Sequence, residues 1–111
     1  MEMDKETQME IGKLQMIEQK LQSVIMQKQN FQSNMLEVEN AIIELKNAET
    51  AYKIVGNIMI SSTKDDLNAE LKEKKELFEE KIKTLEKQEN KLKEDSKVIR
   101  EKLEKLSPKN E

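Results

Sequence analysis

The sequence predicts a mainly α fold, in which an antiparallel two-helix coiled coil is joined by one β-hairpin. Apolar residues repeat at heptad spacing in both halves of the chain, and a Gly-Asn pair between them separates two short β-branched runs. We expect the first helix over about residues 5–48, the hairpin over about 51–62 and the second helix over about 64–106. Together they form a single predicted domain of residues 1–111.

The first helix carries two series of positions spaced seven residues apart, as the seam of a coiled coil requires. The first series is Leu14, Leu21, Lys28, Met35 and Ile42, and the second is Ile17, Val24, Phe31, Val38 and Leu45. Every position except Lys28 is apolar. Lys28 either lays its stem along the seam with its ammonium in water, fixing the register, or reflects an accidental drift of the pattern.

The hairpin is predicted because Gly56 and Asn57 supply the positive φ that a two-residue turn needs. Closing the chain on this turn pairs Val55 with Ile58, Ile54 with Met59 and Lys53 with Ile60, which leaves apolar groups on both faces. A lone two-stranded hairpin is marginal in water, and this one has two unpaired edges. We therefore expect other subunits to complete the sheet; the alternative is that the two helices cover one face.

The second helix is expected to begin after Thr63, which with Asp66 resembles a capping box. Ser107 and Pro108 should end it. One heptad series is wholly apolar: Leu71, Phe78, Leu85, Leu92, Ile99 and Leu106. Its companion series is mostly polar: Asn68, Lys75, Ile82, Glu89, Ser96 and Leu103. Such a helix packs one narrow stripe against a partner.

Folding the chain about the Gly-Asn turn brings the two apolar series together, and it gathers both chain ends at the tip opposite the hairpin. In this register Leu14 meets Ile99, Phe31 meets Ile82, and Met35 meets Phe78. The tip has a surplus of apolar side chains, supplied by Met3, Met9, Ile11, Val98, Leu103 and Leu106. These form a candidate surface for another apolar chain, since methionine adapts to many shapes. The alternative is a frayed terminus with incidental methionines.

Composition excludes several classes of function. Cysteine and histidine are absent, so the chain has no thiol nucleophile, disulfide, imidazole base or common transition-metal ligand. A net charge of -3 argues against nucleic acid as the primary partner. No phosphate-binding loop, catalytic set or membrane span is present, so we expect no enzyme activity, no cofactor, no membrane contact and a cytoplasmic location. With 39% charged residues disorder competes with this interpretation, but the heptads argue against it.

The order of these parts resembles the β-class subunit of prefoldin, in its archaeal-type form. The resemblance is carried mainly by the hairpin sequence of residues 52–60, Tyr-Lys-Ile-Val-Gly-Asn-Ile-Met-Ile. Residues 27–29 and 83–89 add weaker support. It covers about Ile11 to Leu106, and a single hairpin is similar to the β class and not to the α class.

The resemblance implies a chaperone hexamer of two α-type and four β-type subunits, in which the hairpin builds an intersubunit β platform. The coiled coils would project from it, hold unfolded proteins at their tips and deliver them to a group II chaperonin in the cytosol without ATP. Assembly would then fall to Tyr52, Ile54, Val55, Gly56, Ile58, Met59 and Ile60. Client binding would fall to the six tip residues, Met3, Met9, Ile11, Val98, Leu103 and Leu106. The alternative function is a structural coiled-coil oligomerisation scaffold without client binding.

Overall fold

The computed structural model describes residues 4–106 and contains two helices and two strands. Helix α1 spans Lys5–Asn47, strand β1 Ala51–Val55, strand β2 Ile58–Ser62 and helix α2 Lys64–Leu106. This confirms the predicted fold class of two long helices with an antiparallel hairpin between them. The first helix ends one residue before the expected boundary. No helix in the described range is long and apolar enough to cross a membrane.

The chain divides into two compact units. Among the described residues, the terminal unit contains 4–28 and 84–106, and the hairpin unit contains 29–83. In each unit a segment of α1 contacts a segment of α2 that runs in the opposite direction. The hairpin unit also contains the sheet.

Side chains cap the N-terminus of each helix, where backbone N–H groups lack partners within the helix. At the start of α1, the backbone N–H of Thr7 donates to Asp4 Oδ1 at 2.7 Å. At the start of α2, the backbone N–H of Asp66 donates to Thr63 Oγ1 at 3.1 Å. The predicted capping role of Thr63 is therefore confirmed.

The seam between the helices contains the predicted heptad positions, all of which are buried or half-buried. The most buried apolar side chains on the helices are Val24, Val38, Ile82 and Leu85. In the hairpin unit the rings of Phe31 and Phe78 contact each other with their centroids 5.9 Å apart. Phe78 lies one helical turn before Ile82, the residue expected opposite Phe31. Folding about the Gly-Asn turn therefore predicts the pairing of the two helices to within about one helical turn.

Two polar interruptions of the predicted seam meet in the terminal unit. Lys28 Nζ donates to Glu89 Oε1 at 2.5 Å, and the two side chains are 20% and 10% exposed. The Lys28 ammonium is therefore held by a carboxylate of the facing helix and does not simply reach water. The hydrogen bond from Lys28, followed by one from Lys93, lowers the pKa of the Glu89 carboxyl. A partly buried charge pair favours the helix register in which its two partners meet, because another register leaves a buried charge unpaired.

A similar arrangement holds the Glu10 carboxylate nearer the chain ends. Glu10 is only 5% exposed, and it accepts hydrogen bonds from Lys102 at 3.1 Å and Lys13 at 3.4 Å. The Lys102 hydrogen bond lowers the pKa of Glu10, against the opposing effect of burial. Glu10 thus joins the two helices through charge.

The hairpin has the predicted register. Val55 pairs with Ile58, Ile54 with Met59 and Lys53 with Ile60 in the antiparallel ladder. Gly56 has a φ of 61°, and no other residue from 4 to 106 has a positive φ. A positive φ at only the first central residue defines a type II′ turn, whose twist matches that of the strands.

At the end of α1, a side chain from the second helix supplies a hydrogen bond to the backbone. Lys64 Nζ donates to the backbone carbonyl of Lys46 at 3.1 Å. The last carbonyl groups of a helix lack donors within it, and a cation there also suits the helix dipole. This bond links the two helices next to the hairpin.

We expect Gly56→Ala to lower the free energy of unfolding by about 1 to 2 kcal/mol, the cost of placing an L-residue in the left-handed region. A Cβ added at Gly56 would meet no atom within 4 Å, so the cost comes from the backbone alone. Urea unfolding followed by circular dichroism at a fixed chain concentration measures it, with Asn57→Ala as the matched control. Equal stability of the two variants would contradict the role assigned to Gly56.

We expect the fold to lose stability as the pH falls below 4.5, the ordinary pKa of glutamate, towards the lowered pKa values of Glu10 and Glu89. A carboxyl whose pKa is lower in the folded state stabilises the fold above its unfolded pKa, and protonation removes that contribution. Thermal midpoints of the wild type and of Glu89→Gln, measured from neutral pH downwards, test this. The midpoint of Glu89→Gln should already be lower at neutral pH and should fall less in acid. Glu86→Gln, at an exposed position of the same helix, should follow the wild type.

Candidate interaction surfaces

The hairpin exposes six large apolar side chains, and we call these residues the hairpin surface. Their exposed fractions are 57% for Tyr52, 68% for Ile54, 53% for Val55, 64% for Ile58, 64% for Met59 and 47% for Ile60. Tyr52, Ile54 and Met59 share one face of the sheet, because side chains alternate along a strand. The other three lie on the opposite face. Both faces of the hairpin are therefore apolar and open.

The hairpin is attached to the helices at its base. Ala51 is 8% exposed, and Lys53 Nζ forms an ion pair with Glu70 Oε1 of α2 at 2.7 Å. The hydrogen bond from Lys53 lowers the pKa of Glu70. These contacts orient the strands without covering the apolar side chains beyond them. The alternative that the helices of the same chain cover one face does not occur.

The residues predicted at the tip differ in their exposure. Met9 and Val98 are 62% and 64% exposed, whereas Ile11, Leu103 and Leu106 are half-buried. The sixth predicted residue, Met3, lies outside the described residues. Within the described tip, Met9 and Val98 therefore offer the most apolar surface for a partner.

Met16, which the tip prediction does not include, is also exposed in the terminal unit. Its side chain is 59% exposed, and together with Ile17, Val98 and Ile99 it lines a groove of 490 Å³ in the terminal unit. Met16 follows Met9 by seven residues, so both lie on one side of α1. That spacing was the signal in the sequence. We call Met9, Met16 and Val98 the tip surface.

The described residues offer no constellation for catalysis by a metal. Among residues 4–106 no group of three or more carboxylates is placed to hold a metal ion. The buried carboxylates are instead bound by lysines, as Glu10 is by Lys102 and Glu89 by Lys28. The chemistry available at both surfaces is that of apolar contact and, along the strand edges, of backbone hydrogen bonds.

Comparisons with known proteins agree with this architecture. A family model described as "Prefoldin subunit" matches residues 8–110. The prefoldin subunit beta of Archaeoglobus fulgidus is 39% identical over 99 residues, which cover 86% of this chain and 85% of that protein. The prefoldin subunit beta of Thermococcus kodakarensis is 39% identical over 92 residues, covering 80% and 79%.

A solved structure shows the same fold. It is the crystal structure of the prefoldin beta subunit from Thermococcus strain KS-1, which matches with a TM-score of 0.89 at 35% identity and covers 97% of this chain and 98% of its own. The resemblance seen in the hairpin sequence is confirmed by these matches. The chain therefore belongs to the prefoldin family, in which it groups with the β-class subunits of archaea.

Proposed function

We propose that this chain is a chaperone subunit that assembles through its hairpin surface and holds unfolded proteins through its tip surface. In the proposed assembly, two α-type and four β-type subunits form a cytoplasmic hexamer that passes clients to a group II chaperonin without ATP. The family already implies a chaperone role in hetero-oligomers with other prefoldin subunits. The observation that carries the proposal is the exposure of apolar side chains on both faces of the hairpin.

The hairpin surface supports assembly on energetic grounds. Burying a side chain such as Ile54 or Ile58 stabilises a complex by about 1.5 to 3 kcal/mol when exposure is complete, and six such groups lie on ten strand residues. The two strand edges also carry unpaired backbone groups that another strand could pair with. Partner hairpins would cover the apolar faces and pair the strand edges at the same time, which supports one continuous intersubunit β platform.

The tip surface supports weak, adaptable binding of unfolded chains. Met9 and Met16 are flexible and unbranched, so they fit apolar segments of different shape. Val98 on the facing helix extends this surface across the seam. Because few side chains take part, each tip should bind weakly and release its client without an energy source. The chain also lacks a glycine-rich phosphate loop, since it has only 2 glycines.

A scaffold without client binding is the second candidate. The partial burial of Ile11, Leu103 and Leu106 favours it, because it leaves less apolar surface at the tip than the sequence predicts. The two candidates share the hairpin surface and differ only in whether the tip surface binds unfolded protein.

The assembly proposal predicts that Ile54→Asp and Ile58→Asp each weaken association with an α-type prefoldin subunit by about 100-fold, or about 2.7 kcal/mol. Each variant loses one buried isoleucine and places a carboxylate in an apolar interface. Native mass spectrometry over a range of concentrations measures the association, and Asn57→Asp in the exposed turn is the control. Because the two substitutions lie on opposite faces, an effect of only one would show that only one face is covered. An unchanged mass distribution for both would overturn the proposal.

The client proposal predicts that a triple variant, with serine at Met9, Met16 and Val98, loses most of its ability to suppress aggregation of a denatured protein. The loss follows from removing the exposed apolar surface of the tip. A matched triple variant with serine at Met26, Leu36 and Ile43, which are equally exposed elsewhere on α1, should keep it. Light scattering reports aggregation, and native mass spectrometry shows whether assembly persists. Full activity of the tip variant in an intact complex would support the scaffold instead.

A further inference from the structure

A second groove in the terminal unit is lined by residues that belong to neither the hairpin surface nor the tip surface. Its volume is 590 Å³, and Val24 of α1 and Leu92 of α2 are the apolar residues that line it. Both are predicted seam residues, so the groove follows the line where the helices meet. The groove of 490 Å³ that Met16 lines also contains Lys20 and Asp95, so the two grooves are neighbours.

Lysines dominate the rim of this groove. Lys20, Lys87 and Lys91 line it against a single carboxylate, Asp95. Lys91 is 3.7 Å from Asp95, whereas neither Lys20 nor Lys87 forms an ion pair with any residue from 4 to 106. Two exposed ammonium groups from different helices therefore lie beside an apolar groove without an ion-pair partner among the described residues. In a chain with a net charge of -3, this is a local excess of positive charge.

We propose that this groove binds an acidic amphipathic polypeptide segment, with apolar side chains against Val24 and Leu92 and carboxylates against Lys20 and Lys87. Charge complementarity favours this partner, because an acidic segment gains ion pairs with the two ammonium groups that a neutral apolar segment does not make. The lysine stems add apolar surface on either side of the groove, while their charged ends stay accessible. The wholly polar backbone of a nucleic acid would leave the apolar part of the groove unused. The inference does not rest on the proposed function, because none of these four residues belongs to the hairpin or tip surface.

Another groove in the same unit provides the contrast. It is lined by Lys93, Lys97 and Arg100 together with Glu101 and Glu104. Lys93 is paired with Glu89 at 3.0 Å and Arg100 with Glu18 at 2.9 Å, so most of its positive charge is neutralised within the chain. Charge excess is therefore not a general property of grooves along this coiled coil. It distinguishes the groove at Lys20 and Lys87 from this neighbouring groove of the terminal unit.

The test measures binding of two short fluorescent peptides to the full-length chain by anisotropy. Both peptides carry leucines at helical spacing, and one has glutamates where the other has lysines. The acidic peptide should bind more tightly, and added salt should weaken its binding. The double variant Lys20→Glu with Lys87→Glu should bind it about tenfold more weakly, or by about 1.4 kcal/mol. Lys83→Glu with Lys97→Glu changes the net charge equally at exposed positions outside the groove, and it should bind as the wild type does.

Three outcomes would overturn the inference: equal binding of the two peptides, equal loss in the two double variants, or binding of anionic lipid vesicles in place of the acidic peptide. Circular dichroism of each variant establishes that the helices are intact. Measuring whether the double variant Lys20→Glu with Lys87→Glu still suppresses aggregation separates this inference from the client proposal. If suppression persists while acidic-peptide binding is lost, the groove is a distinct site. If neither changes, the groove inference fails and the client proposal stands.

Discussion

The narrow seam between two helices is the constraint on which the rest of this structure depends. A two-helix pair buries one stripe per helix, so even the most buried apolar residues, such as Val24 and Leu85, keep 7% of their surface exposed. No side chain is fully enclosed among the described residues. With so little buried volume, apolar contact alone specifies the register weakly, since a slip of one heptad again places apolar residues together. Additional interactions must distinguish the correct register.

Charge pairs at the interruptions of the seam provide that distinction. Lys28 meets Glu89 and Glu10 meets Lys102, each between α1 and α2. A heptad slip would place Lys28 or Glu89 beside an apolar partner and leave a partly buried charge unpaired, which costs more than the pair contributes. The polar positions that make α2 a lopsided coiled-coil helix in sequence therefore have a physical role. They destabilise the shifted helix registers that apolar seam contacts alone would allow.

The sequence predicted what depends on period and turn chemistry, and it missed what depends on individual side-chain geometry. Heptad spacing gave both helices within a residue or so, and Gly56 with Asn57 gave the strand register because a two-residue turn leaves no freedom in pairing. It did not reveal that Lys28 reaches Glu89, since heptad spacing does not fix where the end of a long side chain lies. It also did not show that Ile11, Leu103 and Leu106 are half-buried, because heptad spacing does not give the exposure of each side chain. Met16 was left out because it lies farther from the chain ends than the residues assigned to the tip.

The limited surface of each tip has a consequence for the proposed mechanism. Three exposed side chains, Met9, Met16 and Val98, provide only weak attraction at about 25 cal/mol per Å², so one chain alone would hold a client briefly. In the proposed assembly several chains are fixed to one platform, and a client bound at one tip meets the others at high effective concentration. Holding then becomes strong while each contact stays weak and separately reversible. In the proposed assembly the hairpin surface would set the strength of client binding without touching the client, and release would need no nucleotide because contacts could be replaced one at a time.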